Sequence, residues 1–241
     1  MIPAGLFPFS GRIVTPFPSG LVAWHDAQQI AGKADGDALD TWPGLEGLSH
    51  HLTKAGATSA LYRSGVGENI NGHACVRIVA DATCYFTYAM DILSAAAAGE
   101  VFVVAKNDAD PAASEGRSGF WSFGTSDYRT HHPYTDGKLY EGWGRYARVD
   151  CGNPTANLAA MHVHNVSSQA AGWTVYLNGS VIYTTGTNTV NFGASGIRVG
   201  RSSGTGANYA GVLGELVVFN RALSGPENAA VYATLAAKWA P

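Results

Sequence analysis

At 241 residues, with 14% charged side chains and a net charge of −3, the chain carries no clustered basic surface of the kind that holds nucleic acid. No stretch approaches the roughly 20 consecutive apolar residues of a membrane helix, and the length suits one large all-β domain. Three cysteines, Cys75, Cys84 and Cys151, cannot all pair within the chain. Cys75 and Cys84 lie in strand-like alternation and read as small buried hydrophobes in preference to a disulfide pair, and the odd, sparse set suggests assembly in a reducing cytoplasm.

The chain opens MIPAGLFPFSGRIVTPFPSG, where Pro3, Pro8, Pro16 and Pro18 interrupt every apolar run and Arg12 is the only charge. A secretory signal needs an unbroken apolar core, so none is expected here. Residues 1–20 are instead expected to form an extended arm in polyproline or β geometry. Phe7, Phe9, Arg12 and Phe17 would be its contacts with a partner surface.

Residues 21–241 read as one domain, without internal repeat or linker. Short runs of valine, isoleucine and aromatics alternate with Gly, Asn, Asp and Ser clusters, the pattern of an all-β sandwich. Strands are expected at Gly20–Trp24, Ala74–Val79, Cys84–Met90, Glu100–Lys106, Gly119–Gly124, Leu158–Val166, Trp173–Asn178, Ser180–Thr184, Gly196–Gly200 and Gly211–Asn220. In WTVYLNGSVIYTT, Trp173, Val175 and Leu177 share a face, and Asn178-Gly179 tolerates the positive φ angles of a tight hairpin. One helical turn is expected in LSAAAAGE. A longer helix is expected in LSGPENAAVYATLAAKWAP, where Ser224 and Glu227 have capping-box spacing, Pro226 sits in the first turn, and Val231, Leu235 and Trp239 form an apolar stripe.

Motifs for catalysis are few. GRSSG at Gly200–Gly204 fits a Gly-x-Ser-x-Gly pattern, but loop sequence follows it where a nucleophile elbow needs a helix. His50-His51 and His131-His132 lack metal-ligand spacing, and His162 and His164 read as half-exposed neighbours on one strand face. Asp108, Asp110 and Asp136 are loop acids of the sort that bind calcium, yet no motif indicates it and solvated turns explain them equally well. No cofactor is expected. Glycoside hydrolysis needs two carboxylates about 5–10 Å apart, and here the glutamates are scattered singly, with Glu215 read as structural.

Several segments, in order, resemble the concanavalin A-like lectin/glucanase superfamily in its laminin-G-like branch. They are LVAWHDA with LDTWPGLEGLSHHLTKAG; ENINGHACVRI, where Ile78 stands in place of the usual aromatic; and GEVFVVAKND, DGKLYEGWGRYARVD, MHVHNVSS, WTVYLNGSVIY and GELVVFNRALSGPENAAVYATLAAKW. The resemblance spans nearly all of Leu21–Trp239. It implies an all-β, concanavalin A-like jelly-roll sandwich of two antiparallel sheets with a short C-terminal helix, one sheet often serving to bind carbohydrate. The paired acids of the family's enzymes and the calcium-and-asparagine cluster of its lectins have no counterpart here, which implies a noncatalytic module.

THHPYTDGKLYEGWGRYAR also resembles laminin-G-like domains of bacteriophage structural proteins. That likeness, with the arm, implies a virion component such as a capsid decoration, head-fibre or tail-associated protein, part of a symmetric assembly or homo-oligomer docked to capsid or tail subunits through residues 1–20. Host polysaccharide is the expected further partner. The stretch GFWSFGTSDYRTHHPYTDGKLYEGWGR interleaves aromatic platforms with hydrogen-bonding groups, so Trp121, Tyr128, His131, His132, Tyr134, Asp136, Trp143 and Arg145 are the candidate glycan-binding residues. The alternatives are a lectin-like module outside a virion or a glycoside hydrolase or lyase.

Overall fold

The structure, a computed structural model, describes residues 16–45, 50–79, 83–113, 119–123, 130–193, 197–202 and 208–241. In chain order its elements are β1 (Leu21–Asp26), β2 (Ala38–Leu39), β3 (Thr41–Trp42), β4 (Leu52–Lys54), β5 (Ala60–Arg63), β6 (Cys75–Ile78), β7 (Phe86–Tyr88), β8 (Ala98–Asn107), β9 (Trp121–Ser122), β10 (Tyr140–Glu141), β11 (Val149–Asp150), β12 (His162–Gln169), β13 (Gly172–Leu177), β14 (Ser180–Thr185), β15 (Arg198–Val199), β16 (Gly211–Phe219) and α1 (Gly225–Lys238). A short 3-10 turn, Ala27–Gln29, follows β1.

The strands make the expected jelly-roll sandwich. The large sheet runs β14-β13-β12-β8-β16-β6-β5-β2, with β1 pairing on β16, and the smaller runs β3-β4-β7-β15-β9. A separate ribbon, β10-β11, is two residues long and belongs to neither sheet. All ladders are antiparallel.

Strands β8 and β16 are buried on both faces, and their sequences say why. Successive side chains of a strand point to opposite faces, and both strands are apolar almost throughout, so neither face suits water. One face meets the smaller sheet. The other meets α1, whose Val231 and Leu235, with Trp239 just beyond, are buried as the apolar stripe predicts. Glu227 accepts hydrogen bonds from Ser224 N and Oγ at 2.9 and 2.8 Å, closing the start of the helix.

The β13–β14 hairpin turns through Asn178 and Gly179, both at positive φ (50° and 76°), and Trp173, Val175 and Leu177 are buried on one face as expected. The expected helical turn in LSAAAAGE is not a helix. Asp91 Oδ1 accepts from Leu93 N (3.0 Å), folding the chain locally, and Ala95 at φ 138° lies outside helical space. Cys75, Cys84 and Cys151 are free and buried.

One docking residue needs correction. Phe17 is buried, with its ring edge-on to Trp24 (5.2 Å) and Phe219 (6.4 Å), so it plugs the protein's own sandwich and is not available to a partner. Asn220 N donates to Gly20 O and Arg221 Nε donates to Ser19 O, both at 2.9 Å, sewing this segment to the end of β16. Phe7, Phe9 and Arg12 lie outside the described residues.

Candidate functional site

Residues 130–153 connect the two sheets without joining either by a ladder longer than an isolated bridge. Most of their backbone bonds are internal, such as His131–Tyr140 and Leu139–Gly152, while Tyr134 O accepts from Ala112 N and Gly144 O from Asn191 N. Side chains and single carbonyls therefore hold the segment in place, and its two sides differ in kind.

The inner side is a buried polar cluster against β12. His162 Nδ1 lies 3.0 Å from Ala160 O and must donate to it, leaving Nε2 bare in the neutral ring; that atom accepts from His132 Nε2 at 3.0 Å. His164 Nε2 meets Glu141 Oε2 at 3.0 Å. Glu141 Oε1 accepts from Trp121 Nε1, Gly142 N and Trp143 N at 3.2, 2.7 and 2.9 Å. Phe120 stacks on His132 (4.2 Å), and Asn107 Nδ2 ties His132 O at 2.7 Å. Burial pushes His132 well below the usual imidazole value and His162 down to about 4, with the neighbouring His164 adding to both shifts.

The half-exposed placement expected for His162 and His164 is therefore wrong: both are fully buried. Their strand has the small sheet on one side and α1 on the other, so no water-facing side remains. Among the described residues no group of three or more His, Cys, Asp or Glu is arranged to hold a metal.

The outer side is an exposed patch. Tyr134 and Tyr140 meet edge to face at 5.7 Å, with His131 4.6 Å from Tyr134 behind them. Tyr140 donates from its hydroxyl to Asp136 at 2.9 Å, and this bond holds the phenol above its ordinary value. Lys138 pairs with Asp150 at 2.7 Å, and the Arg148 guanidinium lies 4.6 Å over the Tyr140 ring. The patch thus sets two aromatic rings among Asp136, the Lys138–Asp150 pair and the Arg148 guanidinium, a surface that can stack on apolar sugar faces and hydrogen-bond hydroxyls.

The candidate residues are accordingly split. Tyr134 and Asp136 lie on the patch with His131 beneath. Trp121, His132 and Trp143 are 1%, 3% and 1% exposed and have no face open to solvent. Trp143 packs against Phe192 and accepts from Trp173 Nε1 through its carbonyl. Arg145 sits apart, 4.7 Å over the Trp173 ring. Tyr128 lies outside the described residues. Lys138, Tyr140, Arg148 and Asp150 complete the patch, and the i, i+2 spacing of Tyr134, Asp136, Lys138 and Tyr140 was the signal that could have added Lys138 and Tyr140 to the other two.

The loop acids have separate partners. Asp108 pairs with Arg77 at 2.9 Å, and Asp110 accepts from Leu158 N at 2.9 Å. Glu215 is sealed beneath α1, accepting from Trp24 Nε1, Trp239 Nε1 and Lys238 at 2.6, 2.7 and 2.7 Å, and Lys238 also reaches Asp26 at 2.7 Å.

No protein-family model and no curated protein matches the sequence. Solved structures do match in fold. The sialidase of Trypanosoma rangeli, in complex with 2,3-difluorosialic acid, aligns over 90% of this chain and 33% of its own, with a TM-score of 0.56 and 16% identity. The binding domain of Paraclostridial Mosquitocidal Protein 1 aligns over 90% of this chain and 52% of its own, with a TM-score of 0.58 and 12% identity. The chain spans a third to a half of these neighbours, and the likeness is one of β-sandwich fold.

Proposed function

We propose that the protein is a noncatalytic glycan-binding β-sandwich module whose binding surface is the outer side of the 130–153 segment. The observation that carries this reading is the half-buried Tyr134–Tyr140 pair at the surface, with Asp136, Lys138, Arg148 and Asp150 around it. Aromatic rings beside a few convergent polar groups are what a polyhydroxylated ring requires. The fold shared with the sandwich of a sialidase and with a toxin's binding domain supports the same reading. The noncatalytic part is supported by the acids: Asp26 and Glu215 share Lys238 under the helix, and Glu100 and Glu141 are buried.

A glycan array reads this directly. The native protein is expected to bind a defined set of oligosaccharides, and Tyr140→Ala or Asp136→Ala to lose them while keeping the native circular dichroism spectrum. Absence of any bound glycan overturns the reading, and release of reducing ends from a bound polysaccharide overturns its noncatalytic part.

The module's setting is read as a virion, as a capsid decoration, head-fibre or tail-associated component. Support comes from the proline-rich composition of residues 1–20 and from the pinning of Phe17 and Ser19, near the end of that stretch, to the sandwich. With Phe17 occupied, Phe7, Phe9 and Arg12 are left as the docking residues. Deleting residues 1–15 is expected to abolish incorporation into particles without unfolding the domain; unchanged incorporation contradicts the docking role.

A further inference from the structure

On the far side of Trp143 and Phe192 from the histidine cluster, the turn at residues 91–96 faces the loop at 190–193 across a cleft of about 240 Å³. Its polar lining comes from Asp91, Ser94 and Asn191, and its apolar lining includes Leu93, Val190 and Phe192. Asp91 and Asn191 each spend one atom on their own loop: Asp91 Oδ1 accepts from Leu93 N, and Asn191 Oδ1 accepts from Gly193 N, both at 3.0 Å. The other two atoms, Asp91 Oδ2 and Asn191 Nδ2, are buried and have no hydrogen-bond partner among the described residues.

Buried polar atoms in folded proteins are almost always paired, and an orphan costs about 1–3 kcal/mol. Two orphans in one cleft, an anionic acceptor on one wall and an amide donor on the other, define the missing partner. It must donate to Asp91 and accept from Asn191. An ammonium group satisfies the first and not the second; phosphate or carboxylate satisfies the second and is repelled by the first. Adjacent hydroxyls satisfy both, since a hydroxyl donates and accepts. The volume falls below the roughly 300–1,000 Å³ of pockets for drug-sized ligands, so it admits a single sugar ring and not a longer chain.

We propose that this cleft is a second, monosaccharide-sized site that holds a vicinal diol of a pyranose, one hydroxyl donating to Asp91 Oδ2 and its neighbour accepting from Asn191 Nδ2. The apolar walls then meet the C–H face of the ring. The proposal shares its ligand class with the reading of the Tyr134–Tyr140 patch and none of its residues.

The test is a titration of the native protein with a panel of methyl pyranosides that differ in hydroxyl configuration, followed by two-dimensional NMR. At least one is expected to shift the amides of residues 91–96 and 190–193. Asp91→Asn and Asn191→Asp keep the Oδ1 atoms that fold the two loops and change only the orphan atoms; each is expected to weaken binding by about ten-fold or more, whereas Tyr140→Ala leaves it unchanged. Shifts absent at every sugar, or binding unaltered in both cleft variants, overturn the proposal and leave the cleft to water. If Tyr140→Ala abolishes polysaccharide binding while no pyranoside touches the cleft, the proposal falls and the patch stands.

Discussion

The central sheet carries a buried polar network on each face, and the two are built from different groups. Beneath α1 the network is carboxylate-based. Glu100 accepts from Asn165, Asn228 and Leu223 N, Glu215 accepts from two indoles and Lys238, and both oxygens of each glutamate are used. Between the sheets the network is imidazole-based, with His132 bonded to His162 and His164 to Glu141, and His164 Nδ1 has no partner among the described residues. The first network seals a helix that the sequence caps well; the second secures a segment that joins neither sheet by a ladder.

The difference gives the two faces opposite dependence on pH. Burial holds Glu100 and Glu215 above the ordinary carboxylate value, so the fold binds those protons more tightly than the unfolded chain. Their contribution is greatest below the unfolded value and declines as pH rises through the folded one. Burial lowers His25 and His162 to about 4 and His132 well below its ordinary value, so here the unfolded chain binds protons more tightly. Their contribution is complete above the unfolded value of about 6.5 and is lost as pH falls through the folded value of about 4.

The largest predicted effect breaks the comparison on the histidine side. Between pH 6.5 and 4 the unfolding free energy is expected to fall by several kcal/mol, on the order of 2–3 for each of His25 and His162, read from urea denaturation at a series of pH values. His162→Gln is expected to be less stable at pH 7 and to show a shallower decline on acidification; an unchanged slope would remove His162 from the account.

On the helix side, Lys238→Met leaves the buried Asp26 and Glu215 without their shared cation and is expected to cost about 3–5 kcal/mol at pH 7, with part of the loss recovered in acid as the carboxyls protonate. A loss that grows on acidification would contradict the assignment. Gly214→Ala is milder. A Cβ there would sit 2.7 Å from the Trp239 ring, and the overpacking is expected to cost about 1–3 kcal/mol by thermal melt. Smallest for stability is Tyr140→Ala on the exposed patch, expected within about 1 kcal/mol of native although it removes glycan binding.

How far the sequence could be read follows the same division. The longer strands of the large sheet announce themselves through β-branched residues and turn chemistry, and the end helix through its cap and the Val231–Leu235–Trp239 stripe. The short strands β2 to β5, β10 and β11 do not, because two to four residues are too few for periodicity to register. Trp121 and Trp143 were legible as aromatics but not as core, since hydrophobic residues suit a platform and an interior alike. Burial of His162 and His164 depends on which elements cover β12, a tertiary fact that alternation along one strand does not contain. Phe17 belongs to the same class: its pocket is made by Trp24 and Phe219, the latter some two hundred residues away in the chain. The Asp91–Asn191 cleft joins two loops 100 positions apart in sequence, and neither holds a motif.

The measurement that bears most directly on the central claim is a crystal structure of the native protein with an oligosaccharide that it retains in solution. A sugar ring seated on the Tyr134–Tyr140 pair, with hydroxyls within hydrogen-bond reach of Asp136 or Asp150, is the predicted result. A sugar bound elsewhere on the sandwich, with Tyr134 and Tyr140 bare, would contradict it.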